Sequence, residues 1–145
     1  MPFQMFILAE KSGVNVLYWE FGKPYEAVYL TFPGYPPVIG LCKSLLNSRA
    51  HFRSVFAEEL GHHFTSAGSN ALESHFHYVD KLLYSQDEYK AMKWAANYLI
   101  SEEKLEYAVK RRGLTEAWQL ADYFCVDEEM IDFRIRLLRK REEIL

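Results

Sequence analysis

The sequence predicts an α+β fold in which a small N-terminal sheet packs on a mainly helical body. Three segments rich in β-branched and aromatic residues lie before residue 42, and helix-capping signals recur from residue 47 to the end. The chain has 145 residues, of which 50% are hydrophobic, so it is long enough for one well-filled core. We therefore expect a single domain over residues 1–145.

The N-terminal region predicts one short helix and three strands. Apolar residues at helical spacing predict a helix from Phe3 to Lys11 that ends at Gly13. Glycine and proline residues then divide the chain into short segments typical of strands. The predicted strands cover residues 14–19, 26–32 and 38–41. Because the connections are short, we expect a small three-stranded antiparallel sheet over residues 14–41.

From residue 47 onward, capping residues and glycines divide the chain into helices. Asn47 or Ser48 caps a predicted helix over about 48–65, and Ser85 with Glu88 forms a capping-box pattern that opens the next helix. Ser101, Thr115 and Asp127 are further N-cap candidates, and Gly113 ends the helix that Ser101 begins. The predicted C-terminal helical region therefore covers about 86–141.

Charge and cysteine content exclude several classes of protein. The formal net charge of −3 gives no support for a nucleic-acid-binding surface, so we expect no direct contact with nucleic acid. The two cysteines, Cys42 and Cys125, lie far apart, which is typical of a reduced interior rather than a secreted disulfide framework. The N-terminus carries neither a basic segment nor an apolar stretch long enough for a signal or a membrane span. We expect a cytoplasmic protein without a membrane partner.

The segment Glu58-Glu59-Leu60-Gly61-His62 carries the candidate chemistry. On a helix, Glu58 and His62 are about 40° apart in rotation and one turn apart along the axis, so both can hold one metal ion. Glu59 is rotated by about 100° from Glu58 and can stand beside the ion as a general base acting on water. Gly61 costs a helix about 1 kcal/mol. A close approach by another backbone, such as the sheet or a substrate strand, would explain that cost.

A catalytic metal site needs a third protein ligand, and Glu88 is the strongest candidate. Glu88 shares a helix face with Ala91, Trp94 and Ala95, a stripe that can pack against the metal helix. Two carboxylates and one imidazole leave a fourth position open, as in catalytic sites. The carboxylate of Glu58 is a harder, more anionic ligand than an imidazole would be. Mn²⁺ and Fe²⁺ are therefore candidates beside Zn²⁺. The same spacing also occurs on solvated helices, and the residues alone leave both interpretations open.

The segment from Ala57 to His63 resembles the zincin-type helix of the ImmA/IrrE family of phage-associated metallopeptidases. The resemblance extends over nearly the whole chain. Upstream it includes Gly13-Val14-Asn15-Val16, Gly22, Val38-Ile39-Gly40-Leu41 and Arg53, and downstream it includes Glu88, Ala91, Trp94, Ala95, Leu99, Leu120, Ala121, Phe124, Val126, Ile131, Arg134 and Leu137.

The resemblance implies a zincin-like fold in which His62 and Glu88 are metal ligands, with Zn²⁺ as the metal, and Glu59 is the general base. Glu58 stands where the family has its first histidine. The resemblance further implies an endopeptidase of phage or mobile-element origin, whose protein substrate is a helix-turn-helix repressor. Because Glu58 replaces a histidine, the alternative is a non-catalytic zincin-fold protein that recognises a repressor without cleaving it.

Four other histidines lie near the motif in sequence. His63 follows the ligand position and is expected to pack near the site rather than to bind metal. His75 and His77 are two residues apart, a spacing that suits a strand or loop from which either could approach the site or a substrate carbonyl. Of the two interpretations, exposed loop histidines are the favoured one. His51 precedes the motif by two helical turns and is expected at the surface.

Residues 114–138 have the outline of a helix-turn-helix. Its second helix begins with Asp127-Glu128-Glu129, which would place like charge against DNA phosphates. We therefore interpret this segment as a structural helix pair rather than a DNA-binding unit.

Overall fold

A four-stranded sheet lies against helices in the computed structural model, which describes residues 3–66, 73–78 and 85–144. The strands are β1 (Asn15–Trp19), β2 (Tyr25–Thr31), β3 (Val38–Cys42) and β4 (Glu73–Tyr78). The helices are α1 (Phe3–Lys11), α2 (Arg49–Thr65), α3 (Gln86–Leu99), α4 (Glu102–Lys110), α5 (Ala117–Phe124) and α6 (Glu128–Ile144), and a short 3₁₀ helix over Lys43–Asn47 precedes α2. The α+β class is therefore confirmed.

The sheet is mixed rather than antiparallel, with strand order β1-β3-β2-β4. β2 pairs antiparallel with β3 on one edge and with β4 on the other, while β1 pairs parallel with β3. The prediction of a purely antiparallel sheet was wrong because it assumed that strands consecutive in sequence are neighbours. β3 and β4 take both edges of β2, and β1 joins the sheet at the outer edge of β3, so β3 lies between the consecutive strands β1 and β2.

The fourth strand, β4, was not predicted as a strand. It lies far from the other three in sequence, and its side-chain pattern suited a strand or a loop equally well. In its register with β2, His77 faces Ala27 and Tyr78 faces Tyr25. Two steps along β2 therefore oppose one step along β4, which is the geometry of a β-bulge with Glu26 as the extra residue.

The helix boundaries follow the capping residues closely. The Ser48 hydroxyl accepts a hydrogen bond from the His51 amide and caps α2, and the capping box between Ser85 and Glu88 opens α3 as predicted. Thr115 is not the N-cap of α5, which is Glu116. Cys125 is the C-cap of α5 and has a left-handed conformation (φ 55°). α5 and α6 pack directly against each other as a helix pair.

Helix α2 occupies the centre of the core and is buried on nearly all sides. Phe56 packs on Phe6 of α1, with ring centroids 4.9 Å apart, and Phe64 stacks on Trp94 of α3 at the same separation. A Cβ atom added to Gly61 would lie 2.2 Å from the carbonyl oxygen of Ala91, so α2 and α3 touch backbone to backbone there. The predicted close approach at Gly61 is confirmed, and the partner is α3. Among the described residues, every helix is too short or too polar to cross a membrane.

Candidate active site

The three motif residues on α2 all lie in the interior. Glu58, Glu59 and His62 have 3%, 0% and 3% of their surface exposed. Ionised carboxylates are costly to bury unless a positive charge or hydrogen bonds compensate for lost hydration. The interpretation of this segment as an ordinary solvated helix is therefore wrong.

The sheet contacts α2 at both Glu58 and His62. The Tyr29 ring of β2 stacks on the His62 ring, with centroids 6.4 Å apart and planes inclined by 13°. In β4, His77 lies with Nδ1 2.9 Å from Glu58 Oε2. Ala27 and His77 are cross-strand partners, and Tyr29 lies two residues along β2 on the same face. Glu58 and His62 therefore share the sheet-facing side of α2, as their spacing predicted.

His77 lies among three carboxylates. Its Nε2 atom is 3.3 Å from Glu26 Oε2, on the side opposite Glu58. Burial by itself lowers the pKa of His77, but its contacts with Glu26 and Glu58 and the charges of Glu58 and Glu59 outweigh burial and raise the pKa to about 10. These carboxylates therefore favour the protonated form of the largely buried His77 ring. The favoured interpretation of His77 as an exposed loop histidine was wrong, because His77 lies on β4 with its side chain only 15% exposed.

His51 and Glu26 extend this arrangement outward. Both ring nitrogens of His51 are hydrogen-bonded to carboxylates. Its Nε2 lies 2.8 Å from Glu26 Oε1, and its Nδ1 lies 2.6 Å from Asp127 Oδ2. These bonds, to Asp127 first and then to Glu26, raise the pKa of His51 to about 10. Burial alone raises the pKa of Glu26, but the hydrogen bond from His51 and the close contact with His77 outweigh it and lower the pKa to about 2. His51 is partly exposed, with 34% of its side-chain surface accessible, and the expectation of a surface position holds only for that part, because strand β2 and the residue before α6 pack beside the ring.

Tyr29 is a site residue that sequence reasoning missed. It is only 2% exposed, and its hydroxyl oxygen is 2.9 Å from His63 Nδ1 while its ring lies on His62. Burial lowers the pKa of His63. His63 thus packs beside the site, in agreement with its predicted place. No pattern in the sequence distinguishes Tyr29 from the other aromatic residues of the sheet.

Glu88 lies in the first turn of α3, where its carboxylate accepts a hydrogen bond from the Ser85 amide in the capping box. Its helix is held against α2 by the contact between Ala91 and Gly61, one turn further along. Within the described ranges, no group of three or more His, Cys, Asp or Glu side chains is arranged to hold a metal. The third-ligand role of Glu88 stays a prediction. The side chain of His75 lies outside the described part of the structure, so its predicted role also stays a prediction.

The donor set on α2 fits a divalent metal in its chemistry. A buried carboxylate and a buried imidazole one turn apart on one helix face are oxygen and nitrogen ligands of the kind that Zn²⁺ takes. The neighbouring carboxylate of Glu59 is fully buried, and a bound dication would offset the cost of its charge. The described geometry supplies a ligand pair, and a third donor has to come from outside α2.

Comparison with known proteins yields one family. The family model Peptidase_M78, described as the IrrE N-terminal-like domain, matches residues 9–136. No curated protein and no solved structure shows significant similarity to the chain. The match covers the sheet, α2 and all but the end of the helical region, and it agrees with the resemblance found in the motifs.

Proposed function

The chain belongs to the IrrE N-terminal-like peptidase family, a family of metallopeptidases, and from that premise we propose that it is a zinc-dependent endopeptidase with Glu59 as its general base. The observation that carries the proposal is the burial of Glu59, which has 0% exposure, next to the buried pair of Glu58 and His62. Burial of two adjacent carboxylates is costly unless a positive charge or hydrogen bonds compensate for their lost hydration, so this burial is typical of a functional site rather than of a solvated helix.

Glu58 and His62 would hold the zinc ion from the sheet-facing side of α2, and Glu88 would supply the third ligand from α3. When bound, the ion supplies Lewis acidity, which polarises a peptide carbonyl and lowers the pKa of water. Mn²⁺ and Fe²⁺ are the alternatives, because a site with two carboxylates and one imidazole is harder than one with two imidazoles.

The chain's own residues move the proton. Glu59 takes a proton from the water whose oxygen bonds to the carbonyl carbon, and then gives it to the amide nitrogen as the C–N bond breaks. The products are a carboxylic acid and an amine, so Glu59 returns to its starting charge. Packing of Tyr29 on His62 fixes the ring orientation of that ligand, which keeps the site organised before substrate binds.

For the substrate we propose a helix-turn-helix repressor of a phage or mobile element. The support is the resemblance in the motifs, and the exposed surface of the described residues adds nothing specific to it. The acidic start of α6 argues against the chain itself as a DNA-binding regulator.

The test of the general base is Glu59→Gln, which keeps the shape of the side chain and removes its basicity. We expect cleavage of a helix-turn-helix repressor, followed by mass spectrometry, to fall by at least about 10²-fold. The matched control is Glu106→Gln, since Glu106 is an exposed carboxylate that pairs with Lys110. Unchanged cleavage by Glu59→Gln with the metal still bound would falsify the mechanism.

A second candidate function is a non-catalytic protein of the same family that binds a repressor without cutting it. The observation that favours it is the contact between Glu58 and His77, because a histidine side chain already pairs with the Glu58 carboxylate without a metal. Metal analysis of the purified protein separates the two candidates. Stoichiometric zinc that is lost in Glu88→Ala supports the enzyme, whereas a metal-free protein that binds repressor intact supports the second candidate.

A further inference from the structure

Five side chains form a continuous row of alternating carboxylates and imidazoles. The row runs Asp127, His51, Glu26, His77, Glu58, and its four contacts measure 2.6, 2.8, 3.3 and 2.9 Å in that order. Its outer end is accessible, because the side chains of Asp127 and His51 are 32% and 34% exposed. Its inner end is the buried Glu58 on α2. The row therefore links the surface at the start of α6 to the candidate active site.

Each inner member of the row uses both of its polar atoms. The two oxygens of Glu26 contact different histidines, Oε1 meeting His51 and Oε2 meeting His77. Both ring nitrogens of His51 and both ring nitrogens of His77 are likewise engaged on opposite sides. None of the three can rotate about its side-chain bonds without losing a charged contact. Such doubly held groups are well suited to fixing the orientation of the group at the end of the row.

The β-bulge in β2 is what places Glu26 in the row. In a regular strand, Glu26 would point to the face opposite Ala27 and Tyr29. Because Glu26 is the extra residue between the pairs Tyr25–Tyr78 and Ala27–His77, the alternation is interrupted there. The carboxylate reaches both His51 of α2 and His77 of β4. Bulges beside active sites commonly re-aim one side chain in this way.

We propose that Glu26 and His51 are positioning residues, which act through His77 to fix the carboxylate of Glu58 in the active site. The catalytic part of this inference rests on the proposed function, since it takes Glu58 as a metal ligand. The row depends on a carboxylate at position 58, because the contact with His77 Nδ1 is made by the carboxylate oxygen Oε2 of Glu58. The departure from the family's first histidine and the row are therefore parts of one arrangement.

The first measurement is the NMR signature of the His77 ring in the metal-free, ¹⁵N-labelled protein. Glu26→Gln keeps the size of the side chain and removes its charge, and His51→Gln does the same at the partly exposed end of the row. We expect both variants to displace the His77 ring nitrogen signals, although His51 does not touch His77. Glu106→Gln is the control for loss of a carboxylate elsewhere and should leave these signals in place.

The second measurement is the affinity for zinc alone, by titration calorimetry. Loss of a group that orients a metal ligand typically weakens metal binding by about 10–100-fold. We expect a loss of that size in Glu26→Gln and a smaller loss in His51→Gln, both with the far-UV circular dichroism of the parent. If Glu26→Gln does not fold, the zinc affinity and the His77 signals of His51→Gln test the proposal.

Two results overturn the proposal. The first is a set of His77 signals that stays unchanged in His51→Gln, because a change at His51 would then have no effect on His77 through Glu26. The second is a displacement of those signals with zinc affinity unchanged or stronger, because the row would then be structural only. Failure of the proposed function looks different: the parent protein binds no zinc or cleaves no repressor, while the signals of His77 still report whether the row exists.

Discussion

At the scale of single residues, the site is a balance of buried charge. Glu26, Glu58 and Glu59 are three carboxylates that act on one imidazolium, His77. Carboxylates in a low-dielectric interior would repel one another and take up protons unless positive charge lies between them. The contacts of His77 with Glu26 and Glu58 raise its pKa and so favour that positive charge. A metal at Glu58 would add to it, which is why the charge balance and the metal site have to be considered together.

The pairing of His51 with Glu26 and Asp127 predicts a pH-dependent contribution to stability. The pKa of His51 is raised to about 10, so its contribution is complete below its ordinary value of 6.5 and is lost as pH rises through about 10. The pKa of Glu26 is lowered to about 2, so its contribution is complete above 4.5 and is lost as pH falls through about 2. The difference in free energy of unfolding between the parent and His51→Gln should therefore be largest between pH 4.5 and 6.5.

Urea unfolding of both proteins across pH 3–10 measures this difference. The comparison isolates His51, because all groups outside the row are common to the two proteins. A difference that stays constant from pH 6 to pH 10 would contradict the predicted ion pairs.

At the scale of elements, the crossing of α2 and α3 sets the distance between the two helices that carry the predicted ligands. Gly61 has no side chain, and the backbone of Ala91 occupies the space where a Cβ would be. The aromatic stack of Phe64 on Trp94 packs the same helix pair a few residues further along α2. Glycine is thus required at position 61 by a close approach of backbones, which outweighs its low helix propensity.

Gly61→Ala should destabilise the protein although alanine favours helices. Alanine gains about 1 kcal/mol of helix propensity over glycine. The added Cβ would lie 2.2 Å from Ala91 O, so the helices must separate, and overpacking of this kind costs about 1–3 kcal/mol or more. Because the clash is with backbone atoms, we take the upper end of that cost and expect a net loss of about 2 kcal/mol, which lowers the melting temperature by about 4–8 °C.

The matched control is Gly22→Ala. Gly22 has no atom within 4 Å of an added Cβ, so this change should alter stability by less than about 0.5 kcal/mol. A Gly61→Ala protein as stable as the parent would show that the α2–α3 contact is looser than the structure places it.

A second contact between elements holds the turn before α6 on the first half of α2. The Arg53 Nε–H donates to the carbonyl oxygen of Cys125, and the Asp127 amide donates to the Ser54 hydroxyl. His51 adds its bond to the Asp127 carboxylate. Arg53 was identified in the sequence only by resemblance. In the structure it holds the turn before α6 on α2 through its hydrogen bond to Cys125. The outer end of the carboxylate–imidazole row is therefore anchored on a turn that α2 itself secures.

At the scale of the whole molecule, the predicted metal joins elements that are distant in sequence. Glu58 and His62 lie on the central helix, His77 on the sheet and Glu88 at the start of α3. A ligand that binds only the folded chain raises the free energy of unfolding in proportion to the logarithm of its concentration over its Kd. Metal binding should therefore stabilise the entire fold rather than a local segment.

Addition of zinc should raise the melting temperature of the parent protein. At a free zinc concentration 100 times the Kd, the free energy of unfolding rises by about 2.7 kcal/mol. For a chain of this length that corresponds to about 5–11 °C by differential scanning calorimetry. The rise should be lost in His62→Ala and in Glu88→Ala. A melting temperature that rises equally in Glu88→Ala would remove Glu88 from the ligand set.

The sequence by itself determined the local structure and the candidate motif. The capping box at Ser85, the helix over Arg49–Thr65 and the i, i+4 pair of Glu58 and His62 depend on neighbours within one or two turns, so a single sequence contains the needed information. The tertiary structure decided the strand order, the membership of β4 in the sheet, and the placement of Glu26, Tyr29, His51 and His77 around α2. These features join residues tens of positions apart. Their energies come from burial and from contacts between charges that no local pattern specifies.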